Sequence, residues 1–545
     1  MKLDSITVAE AARLIATRDL SPVEIVRAKL ARIQALDPQI NAFITVTPEH
    51  ALRDARLAEA EIAAGRYRGP LHGIPFALKD IYATAGIRTT GHSRVCIDNV
   101  PSQDAAVTER LYGAGAVLLG KLATHEFAHG GPNFDAPWPP ARNPWNPEHA
   151  TGGSSSGSGA AVAAGFVLAA MGTDTGGSVR NPAACCGVAG VKPTYGLVSR
   201  YGVIPNSYTF DHCGPLAWTV EDCALVLDAI AGYDARDPSS VHGAPAGLGA
   251  ALAQGISGLR IGVIRHFWED DLTVSDEVAR AMEAAIDVFR ALGATLEDAR
   301  MRPLQQYLDV KMVIAETEIF CVHQKELLAR PGDFGLPFLS QTLAGCLFDA
   351  TDYVNAQRER RRMLAEMEAL YAKYDVLLTV SSAPAPRFDR MSHLRSWISP
   401  NIHTAFSVTG GPAVVLCNGY SASGLPLAMQ IAARPFGDAT ALRAAYGYEQ
   451  ATDWRRRRPQ LQPGAERVPV NPPPVLSGAE IDAASRSFAE RRAARAGLAL
   501  SAEQMALLQE VTPYALAMAK RIERGFAREE EPANTFHLAP AQIRV

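Results

Sequence analysis

Three side chains in this sequence could together build an acyl-transfer site without histidine or metal: Lys79, Ser154 and Ser178. Residues 152–180 read GGSSSGSGAAVAAGFVLAAMGTDTGGSVR, which sets one serine before a small-residue apolar helix and the other after it. Lys79 closes the short apolar run of GIPFALKD. A serine hydroxyl is a weak nucleophile at neutral pH and needs a base. Lysine can be that base if burial lowers its pKa from about 10.4 toward about 7–8, and apolar neighbours at 76–78 are a setting that desolvates an amine. The tetrahedral intermediate of acyl transfer also needs hydrogen-bond donors for its oxyanion. Residues 173–178, TDTGGS, suit that role, because two glycines let several backbone N–H groups converge on one point.

Other motifs compete. His125-Glu126-Phe127-Ala128-His129 matches HExxH, the zinc-peptidase helix in which two histidines one turn apart hold the metal beside a glutamate base. Gly130-Gly131-Pro132 follows at once, so such a helix would end at its second ligand. The sequence is better explained by a short helix with Thr124 as N-cap and Glu126 in its first turn, with no metal. Residues 153–157 also satisfy GxSxG, and 129–131 mimic an esterase oxyanion motif. The preceding stretch, RNPWNP, is a poor strand for a nucleophile elbow, however. No SxxK and no P-loop occur.

The elements that must position these groups read as mixed. Thr7 with Glu10, and Ser21 with Pro22 and Glu24, resemble helix N-caps, and Val26, Leu30 and Ile33 keep helical spacing. From about residue 70 short apolar runs alternate with longer helical stretches, and 76–78, 116–119, 259–264, 376–380 and 413–416 are candidate strands. The pattern implies an α/β or α+β core around a largely buried sheet. The 545 residues are 48% apolar and 20% charged, ordinary for a globular protein. A net charge of -4 gives no case for nucleic acid or an anionic membrane as partner. The longest small, apolar run, 160–171, falls short of the roughly 20 residues that span a bilayer. Eight scattered cysteines without a CxxC pair, and no signal-peptide pattern at the start, fit a cytoplasmic enzyme with reduced thiols.

Residues 459–478, PQLQPGAERVPVNPPPVLSG, read as an extended spacer. They divide a catalytic domain, 1–458, from a helical module, 479–545. In the module Ile481, Ala484 and Phe488 share a face, Gly497 is a C-cap, and Ser501 with Gln504 forms a capping box. Pro513 suggests a kink or restart. So small a module must bury its apolar stripe against the main domain or a second protomer, and a homodimer is expected.

GIPFALKD, TGGSSSGSGAA, GTDTGGSVRNPAACCGVAGVKPTYG and GPAVVLCNGYSASGLPLAMQI, in this order, resemble the amidase signature family over residues 1–460. The resemblance implies an α/β fold with a mixed, twisted sheet flanked by helices, and no cofactor. It also implies Ser178 as nucleophile, Ser154 as proton relay after a cis peptide, and Lys79 as base. Thr175, Gly176, Gly177 and Ser178 would form the oxyanion hole, with Ser155 and Arg180 behind the site. The family usually has glycine where this chain has Ser156; if that position needs positive φ, serine would be strained there. Asn133, Phe134, Trp138, Tyr201 and Ile204 flank the motif blocks and suggest a pocket for a hydrophobic or aryl group. The expected activity is hydrolysis of a small carboxamide, or of a carbamate or ester, through an acyl-enzyme. The alternative is a protein that works within a complex, like the family's member in the tRNA-dependent amidotransferase. The C-terminal stretch resembles the small helical subunits of that amidotransferase and of carboxybiuret hydrolase, here fused to the enzyme.

Overall fold

The computed structural model describes residues 3–242, 247–382 and 384–533. Eleven strands form one sheet: β1 (Phe43–Val46), β2 (Pro75–Lys79), β3 (Val117–Leu122), β4 (Ala169–Asp174), β5 (Ala189–Lys192), β6 (His212–Ala217), β7 (Arg260–Val263), β8 (Thr295–Asp298), β9 (Val376–Ser382), β10 (Ala413–Tyr420) and β11 (Pro426–Ala433). Their order across the sheet is β1-β3-β2-β4-β6-β5-β10-β11-β9-β7-β8. The pairs β2–β3, β2–β4, β7–β8 and β7–β9 are parallel and the remainder antiparallel. This is the mixed α/β sheet flanked by helices that the sequence implies.

Alternation along the strands feeds two apolar layers. Phe76, Leu78 and Leu118 enter one, while Ala77, Val117 and Leu119 enter the other with the helices Pro22–Ile40 and Ser156–Ala163. Both faces are covered, so β2, β3, β4 and β11 are buried throughout and read as near-continuous apolar runs. The two N-terminal caps form as read: Thr7 and Glu10 make a reciprocal capping box, and Ser21 accepts from the N–H groups of Val23 and Glu24.

The stretch between the two serines is not one helix. The helix ends at Ala163 and β4 begins at Ala169. This break brings Ser178 back toward Ser154 rather than a helix length away.

At the C-terminal end, helices Ala483–Ala496 and Ala502–Arg521 pack on each other and, in the same chain, on Leu304–Ala329, Leu336–Thr342 and Leu343–Leu347. Two features there differ from the sequence reading. The buried stripe of the first helix is Ser485, Ala489 and Ala493, with Ala484 exposed and Ile481 outside the helix. The second runs through Pro513 unbroken, with Val511, Thr512 and Ala515 buried and the Thr512 hydroxyl donating to the Leu508 carbonyl at 2.7 Å. Gly497 and the Ser501–Gln504 box cap as expected. Arg521 pairs with Asp309 and Arg492 with Asp349, each at 2.7 Å. The buried stripes of these two helices are therefore covered within the same chain. Its last residues, 534–545, lie outside the described residues.

Candidate active site

β2 and β4 lie side by side and parallel, with Phe76, Ala77 and Leu78 opposite Ala169, Ala170 and Met171. Their carboxyl ends thus open on the same edge, where sites in such sheets form. Lys79 ends β2, and Thr173 and Asp174 end β4. Lys79 is wholly buried, and its Nζ lies 2.7 Å from Ser154 Oγ and 2.9 Å from Thr173 Oγ1. Burial pulls its pKa down from 10.5 to about 7, against the upward pull of Asp211 and Asp174. Such an amine is substantially neutral at neutral pH, so its lone pair can accept a proton from the Ser154 hydroxyl.

The loop carrying Ser154 is held at several points. The Gly153–Ser154 peptide is cis. The Ser154 carbonyl accepts from His125 N–H at 3.0 Å and from Thr124 Oγ1 at 2.9 Å. Ser155 N–H donates to the Ser178 carbonyl at 3.2 Å, tying the two serine segments together. Ser155 Oγ donates to the Thr173 carbonyl at 3.2 Å and accepts from Thr173 N–H at 3.3 Å. Ser156 opens the following helix without positive φ, so serine is unstrained there.

Asp174 organises the second serine turn. Its carboxylate accepts from the N–H groups of Gly177 (2.7 Å), Val179 (3.2 Å) and Arg180 (3.3 Å). It also takes a two-pronged ion pair from Arg180 at 2.9 Å. Burial pushes the carboxyl pKa up, but Arg180, by charge and hydrogen bonding, together with Lys192, holds it far below the usual range. Arg180 is itself wholly buried and donates to the His403 carbonyl, Gln430 Oε1 and Ser407 Oγ. One of the four expected oxyanion donors is corrected by this clamp. Gly177 N–H is committed to Asp174, whereas Thr175, Gly176 and Ser178 N–H groups have no acceptor among the described residues. Gly177 serves a different need. Its φ is +126°, and a Cβ there would come within 2.7 Å of His403 Cβ.

Ser154, the half-buried Ser178 and the 175–177 turn line a cavity of about 530 Å³. None of the five residues expected to form a hydrophobic pocket lines it. The chain passes the cavity at Gly130, Gly131 and Pro132 and then turns away. Asn133 Oδ1 accepts from Asp135 N–H, and Phe134 packs edge-on against Phe388. Trp138 packs on His92 and Arg88, Tyr201 lies under the Arg236 guanidinium, and Ile204 packs against the core. The cavity wall instead mixes apolar groups such as Leu272, Val380 and Ile402 with Asn181, Asn206, Lys311, His393 and His403.

The HExxH stretch is not a helix. Glu126–Ala128 is a single tight turn in which Phe127 and Ala128 have φ of 47° and 62°, so the two histidines do not stack one turn apart. Glu126 accepts from Ser93 Oγ and Gly335 N–H, and His129 Nε2 pairs with Glu316 at 2.9 Å. Thr124 does not cap this turn; its hydroxyl is the one on the Ser154 carbonyl.

Sequence reasoning placed Thr173 and Asp174 in the oxyanion stretch but missed their side-chain roles, and it missed Asp211 and Lys311. Asp174 stands six residues before Arg180 inside the quoted motif, and that opposite-charge spacing was its signal. Asp211 accepts from Thr175 Oγ1 at 2.5 Å and carries no local mark in the sequence. Lys311 is a lone cation within LDVKMVIA, an otherwise largely apolar stretch of one helix.

The chain is similar to known proteins over most of its length. The family model described as Amidase matches residues 24–442. The A subunit of glutamyl-tRNA(Gln) amidotransferase from Geobacter metallireducens is 39% identical over 487 residues, covering 84% of this chain and 99% of that protein. Its counterpart from Methylococcus capsulatus is 39% identical over 83% of this chain and 98% of its own length. Among solved structures, native peptide amidase from Stenotrophomonas maltophilia superposes with a TM-score of 0.72 at 31% identity, covering 83% of this chain and 98% of that one. A protein from a vestigial complex bearing on the origins of an s-triazine catabolic enzyme gives 0.75 at 33%, covering 82% and 98%.

Proposed function

This chain belongs to the amidase family, and we propose that it hydrolyses a small carboxamide to acid and amine through an acyl-enzyme on Ser178. The observation that carries the reading is the wholly buried Lys79 amine 2.7 Å from Ser154 Oγ, at the edge of a cavity shared with Ser178. Ser178 Oγ attacks the carbonyl carbon as its proton passes to Ser154 Oγ and the Ser154 proton passes to Lys79 Nζ. The N–H groups of Thr175, Gly176 and Ser178 take the oxyanion, a contribution of about 3–4 kcal/mol per essential donor. Collapse breaks the C–N bond, and the proton returns along the same path to the leaving amine. Water then enters by the same relay and frees the acid. Carbamates and esters present the same carbonyl and fall within reach of this chemistry. In this reading residues 1–458 are catalytic, 459–478 link, and 479–545 brace the catalytic part.

A second reading follows from the 39% identity to amidotransferase subunits: the chain could act only within a complex. Turnover of simple amides by the purified chain alone decides between the two. The test of the site itself is labelling with a fluorophosphonate followed by peptide mapping. A single adduct on Ser178, greatly reduced in Lys79→Ala, is expected; an adduct elsewhere, or one indifferent to Lys79, overturns the mechanism.

A further inference from the structure

The cavity wall carries a basic side chain and no acidic one among the described residues. Among its described residues Lys311 is the only lysine or arginine, and no aspartate or glutamate lines it. Lys311 projects from the helix Leu304–Ala329, the helix on which the C-terminal module packs. Its Nζ lies 3.3 Å from Met312 Sδ, a weak acceptor, and makes no ion pair among the described residues. A Cβ built on Gly176 would stand 3.3 Å from Lys311 Cε and 3.9 Å from Nζ. The Lys311 amine therefore lies across the bare face of Gly176, two residues before Ser178.

The histidines on this wall supply no counter-charge, because an imidazole is either neutral or cationic. Burial, chiefly, holds His125, His393 and His403 at pKa values of about 3, 4 and 3, so all three are neutral imidazoles. His129 is engaged with Glu316. Burial also lowers the pKa of Lys311 itself, while Glu316 and Asp211, neither of which lines the cavity, pull it upward. An anion entering the cavity would favour the charged form of this amine and form a charge-assisted hydrogen bond with it.

We propose that Lys311 is a specificity residue that binds a carboxylate carried by the substrate near its scissile carbonyl, so that the preferred substrates are small carboxamides bearing a free carboxylate. The inference rests on the Ser178 reading above. It also revises the expectation of a hydrophobic or aryl group.

The test is protection of Ser178 from fluorophosphonate labelling by succinamate and by butyramide, which differ in bearing a carboxylate or a methyl group. In the wild type succinamate should protect at a concentration about ten- to a hundredfold lower than butyramide, the scale of one charge-assisted hydrogen bond. In Lys311→Met the two should protect alike, and Lys311→Arg should restore most of the preference. Equal protection in the wild type overturns the proposal, as does protection by neither compound. Equal weakening of both in Lys311→Met also overturns it, and would assign the ammonium to the oxyanion instead. Labelling in the absence of either compound reports that each variant is folded. Its failure in the wild type would count against the Ser178 mechanism rather than against Lys311.

Discussion

Replacing Lys79 by methionine should abolish activity and yet stabilise the protein at neutral pH. Lys79 has an ordinary pKa of 10.5 in an unfolded chain and about 7 in the folded one. Between those values the unfolded state binds a proton that the native state does not, so stability rises with pH across the window. At about 1.36 kcal/mol per pH unit the penalty is about 4 kcal/mol at pH 7, about 2 at pH 9, and gone above 10.5. Methionine keeps the volume and removes the titration, and it also forfeits the contacts with Ser154 and Thr173, about 1 kcal/mol each. A net gain of about 2 kcal/mol at pH 7 should fall to near zero at pH 9. With about 2.1 cal/mol/K of unfolding entropy per residue over 545 residues, 1 kcal/mol corresponds to about 1 °C. Melting scans of both proteins at pH 7 and pH 9 should therefore differ by about 2 °C and about 0 °C. In the wild type the same titration should appear as an acid limb in kcat/KM. The rate would be half-maximal near pH 7 and about one tenth of the plateau at pH 6. A variant destabilised equally at both pH values, or a rate flat from pH 6 to 8, would refute a desolvated lysine base.

On the proposed mechanism Ser154→Ala breaks the proton path while leaving Ser178 in place, and kcat should fall about 10²–10⁴-fold, read as ammonia release with Ser178 still present by peptide mass. Gly177→Ala forces a Cβ against His403 from a backbone at φ +126°. The displaced turn should cost about a hundredfold in kcat/KM with circular dichroism unchanged, and a fully active variant would remove the close-approach argument. Ending the chain after Gly478 uncovers the partners of the buried Leu507, Leu508, Val511 and Met518. At about 1.5–3 kcal/mol each that loss should lower the melting temperature by several degrees and promote aggregation. An unchanged melting curve would show that the module does not brace the catalytic part.

The sequence was most legible where local chemistry decides conformation. All five strands read from apolar runs are in the sheet as β2, β3, β7, β9 and β10, and of the five caps and capping boxes read all but Thr124 form. It was least legible where small residues build strands. β4 (AAMGTD) and β5 (AGVK) carry little β-propensity, and β6 contains both glycine and proline. Their strand state comes from pairing with neighbours, as with β4 held parallel to β2 on one side and antiparallel to β6 on the other. The positive φ values at Phe127 and Ala128 that dismantle the HExxH helix likewise have no signal in their residue types. The pocket expectation failed for a simpler reason. Nearness in sequence to the Gly130-Gly131 turn does not say which way the next side chains point, and none of Asn133, Phe134 and Trp138 lines the cavity.

The carboxylates around Lys79 decide whether it can be a base at all. Burial alone would drive its pKa low, whereas a bare carboxylate nearby would keep it charged and useless for accepting a proton. Asp174 and Asp211 are the two anions that pull it upward most, and neither is bare. Asp174 is saturated by the Arg180 fork and three backbone N–H groups. Asp211 accepts from Thr175 Oγ1 and from the N–H groups of Asn206 and Ser207. The contacts of Asp174, and that of Asp211 with Thr175, also fix the turn that presents Ser178 and its neighbouring N–H groups. In the proposed mechanism the ion pair of Asp174 with Arg180 therefore performs two tasks that the chemistry requires together, shaping the oxyanion donors and leaving the lysine poised near neutral pH. Arg180 is thus a positioning residue, and its replacement should disturb the acid limb of the rate profile as well as the stability of the turn.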